Sequence, residues 1–252
     1  MLSLNSIGKT FLSELGSKKE VFKNLNLQVN KGEFVTVIGS NGAGKSTLLN
    51  LVMGSIEPDC GTISLDDKDI TNIELYKKNS FISKVYQNPS LGTAPSMTVF
   101  ENLSMADNKG KSFNFTMGLN KKRREYYRTL LKELGLGIEE QMDTEVGLLS
   151  GGQRQCLALL MVTLNKPKLL LLDEPAAGMN PTETEELMNT IRLIRDKFNI
   201  AILLIEHDMK LVLGICERLV VLDHGTTIAA GDPIEVINTP AVVTAYLGQE
   251  EE

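Results

Sequence analysis

The sequence predicts an α/β fold with a mostly parallel central sheet, an antiparallel β portion near its start and an α-helical subdomain inserted in its middle. Three observations predict it. Leu169-Leu170-Leu171-Leu172 is a strand with no polar face, as in a sheet covered on both sides. Strands alternate with helices from Phe34 to Met53 and again from Lys168 to Leu222. Between these stretches the periodicity turns helical, over Thr98 to Ala106 and Lys121 to Leu134.

Taken in order, Leu25, Leu27 and Val29 sit at period two. Phe34-Val35-Thr36-Val37-Ile38 is β-branched and bounded by glycines, and both stretches read as strands. The second leads into Gly39-Ser40-Asn41-Gly42-Ala43-Gly44 and a helix from Lys45 to Met53. Thr62 to Leu65 and Phe81 to Val85 are further short strands. The polar connector Asp107 to Asn120 joins the middle helices. In and just after it lie Lys109, Lys111, Lys121, Lys122, Arg123 and Arg124, a solvated basic face or a contact for phospholipid or a partner's loops. A helix runs from Gly152 to Leu164. After the leucine strand come a helix (Pro181 to Lys197), a strand (Ile200 to Ile205), a helix (Met209 to Gly214) and a strand (Arg218 to Leu222). Pro181 suits a first helical turn.

Length and charge bound the class. A chain of 252 residues, 42% hydrophobic, can bury one sizeable core, and a net charge of -6 argues against a protein that coats nucleic acid. Cys60, Cys156 and Cys216 form no CxxC pair and read as buried, reduced thiols. No stretch approaches the roughly 18 apolar residues of a membrane span, and Met1-Leu2-Ser3-Leu4-Asn5 is too polar for a signal peptide. Any service to a membrane is therefore expected from a peripheral position.

Gly39 to Ser46 fits GxxxxGK[ST]. A polyphosphate must be met by several backbone N–H groups at close range, so side chains are absent where the chain wraps it. The following helix points its N-terminal dipole at the same anion. Lys45 then reaches the β- and γ-phosphates, and the Ser46 hydroxyl ligates Mg²⁺. Gly8-Lys9-Thr10 lacks the upstream glycine and is no second site. Asp173 and Glu174 end the leucine strand: Asp173 suits Mg²⁺, and Glu174 suits a water aimed at the γ-phosphate. Ser150-Gly151-Gly152-Gln153 is a serine N-cap and two bare backbone positions opening a helix, a second anion site without a lysine. Two half-sites for one γ-phosphate suggest a dimer in which each subunit closes on the other's nucleotide.

On these residues nearly the whole chain resembles the ATP-binding subunits of bacterial ABC transporters. The resemblance implies one phosphate-loop ATPase domain over 1–252. Within it, 1–87 and 166–252 would form a RecA-like core with its β subdomain, and 88–165 the helical signature subdomain. It implies ATP and Mg²⁺ as cofactors. It makes Gly39, Ser40, Asn41, Gly42, Ala43, Gly44, Lys45, Ser46 and Thr47 the ATP-binding loop, with Phe11 stacking on adenine. It assigns Glu174 as catalytic base, His207 as the γ-phosphate switch, and Gln87 as a Mg²⁺ sensor coupled to the permease. Mg²⁺ would be held by Ser46, Gln87 and Asp173, and Ser150 to Gln153 would meet the opposite subunit's ATP. Ala177-Gly178-Met179-Asn180 departs from the family pattern, which commonly ends in Leu-Asp. His224 lies in what reads as a hairpin turn and receives no chemistry.

The segment Thr36 to Leu172 resembles ATPases of tryptophan/tyrosine-type uptake systems. From Glu174 onward, including Leu203 to Met209 and Ala245 to Gly248, the chain resembles branched-chain amino-acid importer ATPases. The implied partners are integral membrane permease subunits, a second ATPase subunit (the same or a sister chain) and, indirectly, an extracellular solute-binding protein. The implied location is the cytoplasmic face of the cell membrane, and the implied cargo an apolar amino acid. The alternative is an ABC ATPase of assembly or regulation with soluble partners. A DNA-repair type is disfavoured by the lack of sustained heptads, and a translation-factor type by the single cassette.

Overall fold

The computed structural model describes residues 1–12, 17–110 and 119–247. Two sheets organise it. The first is antiparallel, in the order β2-β1-β4-β5, from β1 (Leu2–Leu12), β2 (Lys18–Val29), β4 (Cys60–Leu65) and the short β5 (Lys68–Asp69). The second contains β3 (Phe34–Gly39), β6 (Ile82–Val85), β7 (Leu169–Asp173), β8 (Ala201–Ile205), β9 (Arg218–Asp223) and β10 (Thr226–Gly231). Its order is β10-β9-β3-β8-β7-β6. All its neighbours run parallel except β10, which folds back on β9.

The period of two explains how one strand serves two layers. Leu170 and Leu172 of β7, with Ile202 and Leu204 of β8, face one apolar cluster; Leu169, Leu171, Ala201, Leu203 and Ile205 face another. The first cluster also holds the apolar faces of α3 (Val99–Asp107), α4 (Lys121–Glu133), α5 (Gly151–Thr163) and α6 (Pro181–Phe198). The second is closed by α1 (Lys45–Met53) and the antiparallel sheet. Each leucine buried in this way contributes roughly 1.5–3 kcal/mol. A third, smaller cluster joins β9 to α7 (Met209–Ile215) and α8 (Pro233–Ile237). The remaining α-helices among the described residues are α2 (Leu75–Lys78) and α9 (Pro240–Val242), the latter followed by a π-helical turn, Val243–Leu247.

The expected fold class is the one observed, with helix and strand bounds within a few residues of expectation. Some particulars differ. Cys60 is exposed at the start of β4 rather than buried, and only Cys156 is buried, where desolvation pushes its thiol up to about 11. The basic run is not uniformly free: Arg123 pairs with Asp107 at 3.5 Å and Arg124 with Asp143. Lys111, much of the connector and the acidic tip 250–252 lie outside the described residues. No helix among the described residues is long and apolar enough to cross a membrane.

The topology sets the site. Ligands of open parallel sheets bind beyond the carboxyl ends of the strands. There β3 delivers Gly39, β6 leads to Gln87, β7 ends at Asp173, and β8 runs out toward His207.

Candidate nucleotide site

All six residues of β3 are buried, so the chain emerges from the sheet centre directly into the phosphate loop. Gly44 caps α1 with φ 104°, and a Cβ there would stand 2.7 Å from the Phe22 ring. At Gly39 an added Cβ would lie 2.2 Å from the Leu222 carbonyl oxygen, so β9 presses on the loop from behind. The hairpin between β9 and β10 adds a brace, because Gly225 N–H donates to the Ala43 carbonyl at 3.2 Å. Lys45 Nζ is held over the loop, donating to Gly39 O at 2.6 Å and Ser40 O at 3.1 Å. Burial lowers its pKa, and the Glu174 and Asp173 charges partly offset that shift. A cavity of about 330 Å³ opens here, lined by Phe11, Asn41, Gly42, Lys45, Ser46, Thr47 and Glu174 among others. Phe11, on β1 and 39% exposed, thus reaches the loop from the antiparallel sheet, with Lys9 Nζ 5.5 Å from its ring centre.

Three strand ends converge on Glu174. Its φ of 47° is left-handed, uncommon for a residue with a side chain, and its N–H donates to Ile205 O at 2.9 Å. Gln87 Nε2 donates to Glu174 Oε2 at 3.3 Å, and His207 Nδ1 stands 3.9 Å from the same oxygen. Asp173 is paired with Lys84 Nζ at 2.8 Å, a lysine whose side chain is only 8% exposed. Among the described residues no group of three His, Cys, Asp or Glu side chains could hold a metal. The donors present are instead a hydroxyl (Ser46), a carboxamide oxygen (Gln87) and one carboxylate (Asp173). That hard, oxygen-only set suits Mg²⁺, which takes few protein ligands and fills its shell with phosphate and water.

The serine-glycine turn lies elsewhere. Ser150 caps α5: its Oγ accepts from Gln153 N–H and Gln153 Oε1 accepts from Ser150 N–H, both at 3.1 Å. Ser150 and Gly151 are exposed, and none of Ser150 to Gln153 lines the phosphate cavity of its own chain. Asn180 also has a local task, its Oδ1 accepting from Glu183 N–H at 3.0 Å to cap α6. That explains a short polar residue there and leaves its Nδ2 as the donor for any other contact. His224, at φ 42° in the β9–β10 turn, is exposed, with its Nε2 3.7 Å from Asp223 Oδ1.

Sequence reasoning does not find Lys84, Glu206 or the hairpin brace. A lysine in a short strand and a glutamate after five apolar residues carry no signal until their neighbours are known. Gly225 beside His224 reads only as a turn.

A phosphate loop on the central strand, carboxylates at the end of the next-but-one strand and a helical insertion define a nucleoside-triphosphate hydrolase of the ATP-binding-cassette class. The chain belongs to the ABC transporter family, whose model matches residues 22–177. It is an ATP-binding, ATP-hydrolysing subunit that energises transport. A tyrosine transport ATP-binding protein of Clostridioides difficile (strain R20291) is 43% identical over 229 residues, 90% of each chain. The high-affinity branched-chain amino acid transport ATP-binding protein BraF of Pseudomonas aeruginosa is 37% identical, over 89% of this chain and 91% of its own. Among solved structures, a nucleotide-free ATP-binding cassette from an ABC transporter superposes with a TM-score of 0.82 at 28% identity over 99% of both chains. An ATP-binding cassette in its ADP conformation matches with the same TM-score at 29% identity, also over 99% of both chains.

Proposed function

We propose that two copies of this chain, or one copy and a sister chain, bind two MgATP head to tail and drive uptake of an apolar amino acid through a membrane permease. The observation that carries the reading is the division of the site. Glu174, Gln87 and His207 converge near the phosphate loop, whereas the Ser150 turn faces solvent away from its own chain's cavity. Lys45 and the loop amides hold the phosphates, and Phe11 offers its ring to the adenine. Ser46, Gln87 and Asp173 would hold Mg²⁺, which would supply positive charge to offset that of the phosphates. Glu174 accepts the proton of the attacking water. His207 and the partner's serine-glycine turn enclose the γ-phosphate.

Residues 88–165 move as the helical subdomain against a core of 1–87 and 166–252, and the Gln87 segment transmits the movement. A largely apolar cavity of about 490 Å³, lined by Met105, Ala106, Met161 and Val162 on one side and Met53 and Tyr86 on the other, spans that boundary. It is the surface on which a permease segment docks, which holds the chain at the cytoplasmic face of the membrane. The relatives' names, tyrosine and branched-chain amino acid transport, support the cargo class proposed for this chain.

Glu174→Gln should lower turnover about a hundredfold or more while leaving ATP binding intact and trapping the two-copy state. Lys45→Ala should instead weaken nucleotide binding itself. Near-normal turnover of Glu174→Gln would remove Glu174 as the base. Captured from solubilised membranes with MgATP, the Glu174→Gln protein should bring down an integral membrane permease. Soluble partners alone, in membranes shown to hold permeases of this type, would favour an assembly or regulatory ATPase.

A further inference from the structure

Glu206 takes no part in the chemistry above, yet its carboxylate is 1% exposed. It follows the five buried residues of β8 and stands where the chain leaves the sheet toward His207. Its Oε1 accepts from Ala176 N–H at 3.2 Å. Its Oε2 accepts from His207 N–H at 2.8 Å and Asp208 N–H at 3.2 Å, with His207 Nδ1 at 3.5 Å. The β7–β8 ladder ends with Glu174 N–H on Ile205 O. The Glu206 side chain therefore continues the pairing one step beyond both strands. One end of the tie is the loop that follows Glu174; the other is the backbone that carries His207.

A buried carboxylate is tolerated only where its lone pairs are met. Here three N–H donors meet it, the pattern an acceptor-only group requires. A glutamine would turn an NH₂ toward one of these donors and lose at least one of the bonds. A residue serving only to fill space between β7 and β8 would be apolar, like the five before it.

We propose that Glu206 is a positioning residue for ATP hydrolysis, clamping the Glu174 loop to the His207 loop so that the two approach the γ-phosphate as one unit. The inference rests on the roles given to Glu174 and His207 above. It predicts that loss of the clamp lowers kcat and spares nucleotide affinity. The test is a double-mutant cycle of Glu206→Gln and His207→Ala in the full chain. It is read by steady-state ATPase kinetics, by titration with a fluorescent ATP analogue and by melting. Glu206→Gln should lower kcat about tenfold, leave the analogue's Kd within about twofold, and add less than about a further twofold loss once His207 is alanine. An equal loss in both backgrounds, or a fall in affinity matching the fall in kcat, would overturn the clamp.

Near-normal turnover of both Glu174→Gln and His207→Ala would overturn the roles on which the clamp depends, a result distinct from additivity. Amide exchange on the wild-type protein decides the matter even where the glutamine variant does not fold. The amides of Ala176, His207 and Asp208 should show one common protection factor once each rate is divided by its intrinsic value. Exchange of Ala176 independent of the other two would show that the loops are not joined.

Discussion

At the residue scale, the phosphate loop is shaped as much by what stands behind it as by its own glycines. Gly225 has φ 76°, and a Cβ there would lie 1.7 Å from the Val21 carbonyl oxygen. Backbone, not a movable side chain, occupies the space. Gly225→Ala should therefore destabilise the fold by on the order of 3 kcal/mol, from left-handed strain together with displacement of β2. It should also weaken ATP binding, because Gly225 N–H holds Ala43 O. Urea unfolding and nucleotide titration check the two effects. At Gly42, where φ is 85° and an added Cβ would meet nothing, alanine should cost only the conformational strain. The GxxxxGK[ST] spacing in the sequence discloses Gly39 and Gly44 but not Gly225, whose constraint comes from a strand about 200 residues away.

At the scale of elements, legibility followed how far each segment's environment is written in its own neighbours. The leucine strand β7 reads correctly because burial on both faces leaves a run with no alternation. The α5 start reads correctly because Ser150 caps its own helix, and the α6 start because Pro181 stands in its first turn; the Asn180 cap emerges only in the structure. β1 is harder: register shifts between Leu4 and Ile7, with Ser6 at φ 52°, break the period of two in its middle. β10 is an edge strand, Thr226–Gly231, partly exposed throughout, so no buried face marks it. Sequence also cannot weigh Asn102, fully buried on α3. Its Nδ2 donates to Ala94 O at 3.0 Å, Met97 O at 3.2 Å and Thr98 O at 3.0 Å, while its Oδ1 accepts from Ala94 N–H at 2.8 Å. The loop thus held supports the approach to the serine-glycine turn, because Gly147 N–H donates to Pro95 O and Val146 N–H to Met97 O. Asn102→Ala should cost about 2–4 kcal/mol in urea unfolding. Asn102→Asp should do no better despite its matching shape, since a carboxylate offers no donor to three carbonyls. Full stability of the aspartate variant would show that shape alone sustains the loop.

At the scale of the whole molecule, two couplings join parts far apart in sequence. One is structural. Arg218 at the start of β9 bonds Glu33 in the turn before β3, Nε to Oε1 at 2.6 Å. Burial raises the Glu33 pKa, but the Arg218 guanidinium and the Asn30 N–H outweigh it and leave the carboxyl below its ordinary value. A depressed folded pKa means that the contribution to stability is present above the unfolded value, near 4.5, and is lost as pH falls through the folded one. Glu33→Gln should accordingly flatten the acid limb of stability below about pH 4.5 and leave the slope near neutrality unchanged, as read by melting across pH.

The other coupling runs between copies. If each hydrolytic centre joins the phosphate loop of one chain to the Ser150 turn of another, two inactive variants can complement each other. Lys45→Ala removes one half-site and Ser150→Arg the other. In a mixed dimer both lesions fall in one centre, and the second is intact. Equal mixing makes about half the dimers mixed, each with one working centre of two, so activity should return to at most about a quarter of wild type. Centres built within a single chain would return nothing at any mixing ratio, and ATPase rate against ratio separates the two. Recovery should peak at equal proportions, because only there is the mixed dimer most abundant. A peak elsewhere would mean that the two variants pair unequally, and no recovery by variants shown to pair with each other would mean that the Ser150 turn is not the missing half of the neighbouring site.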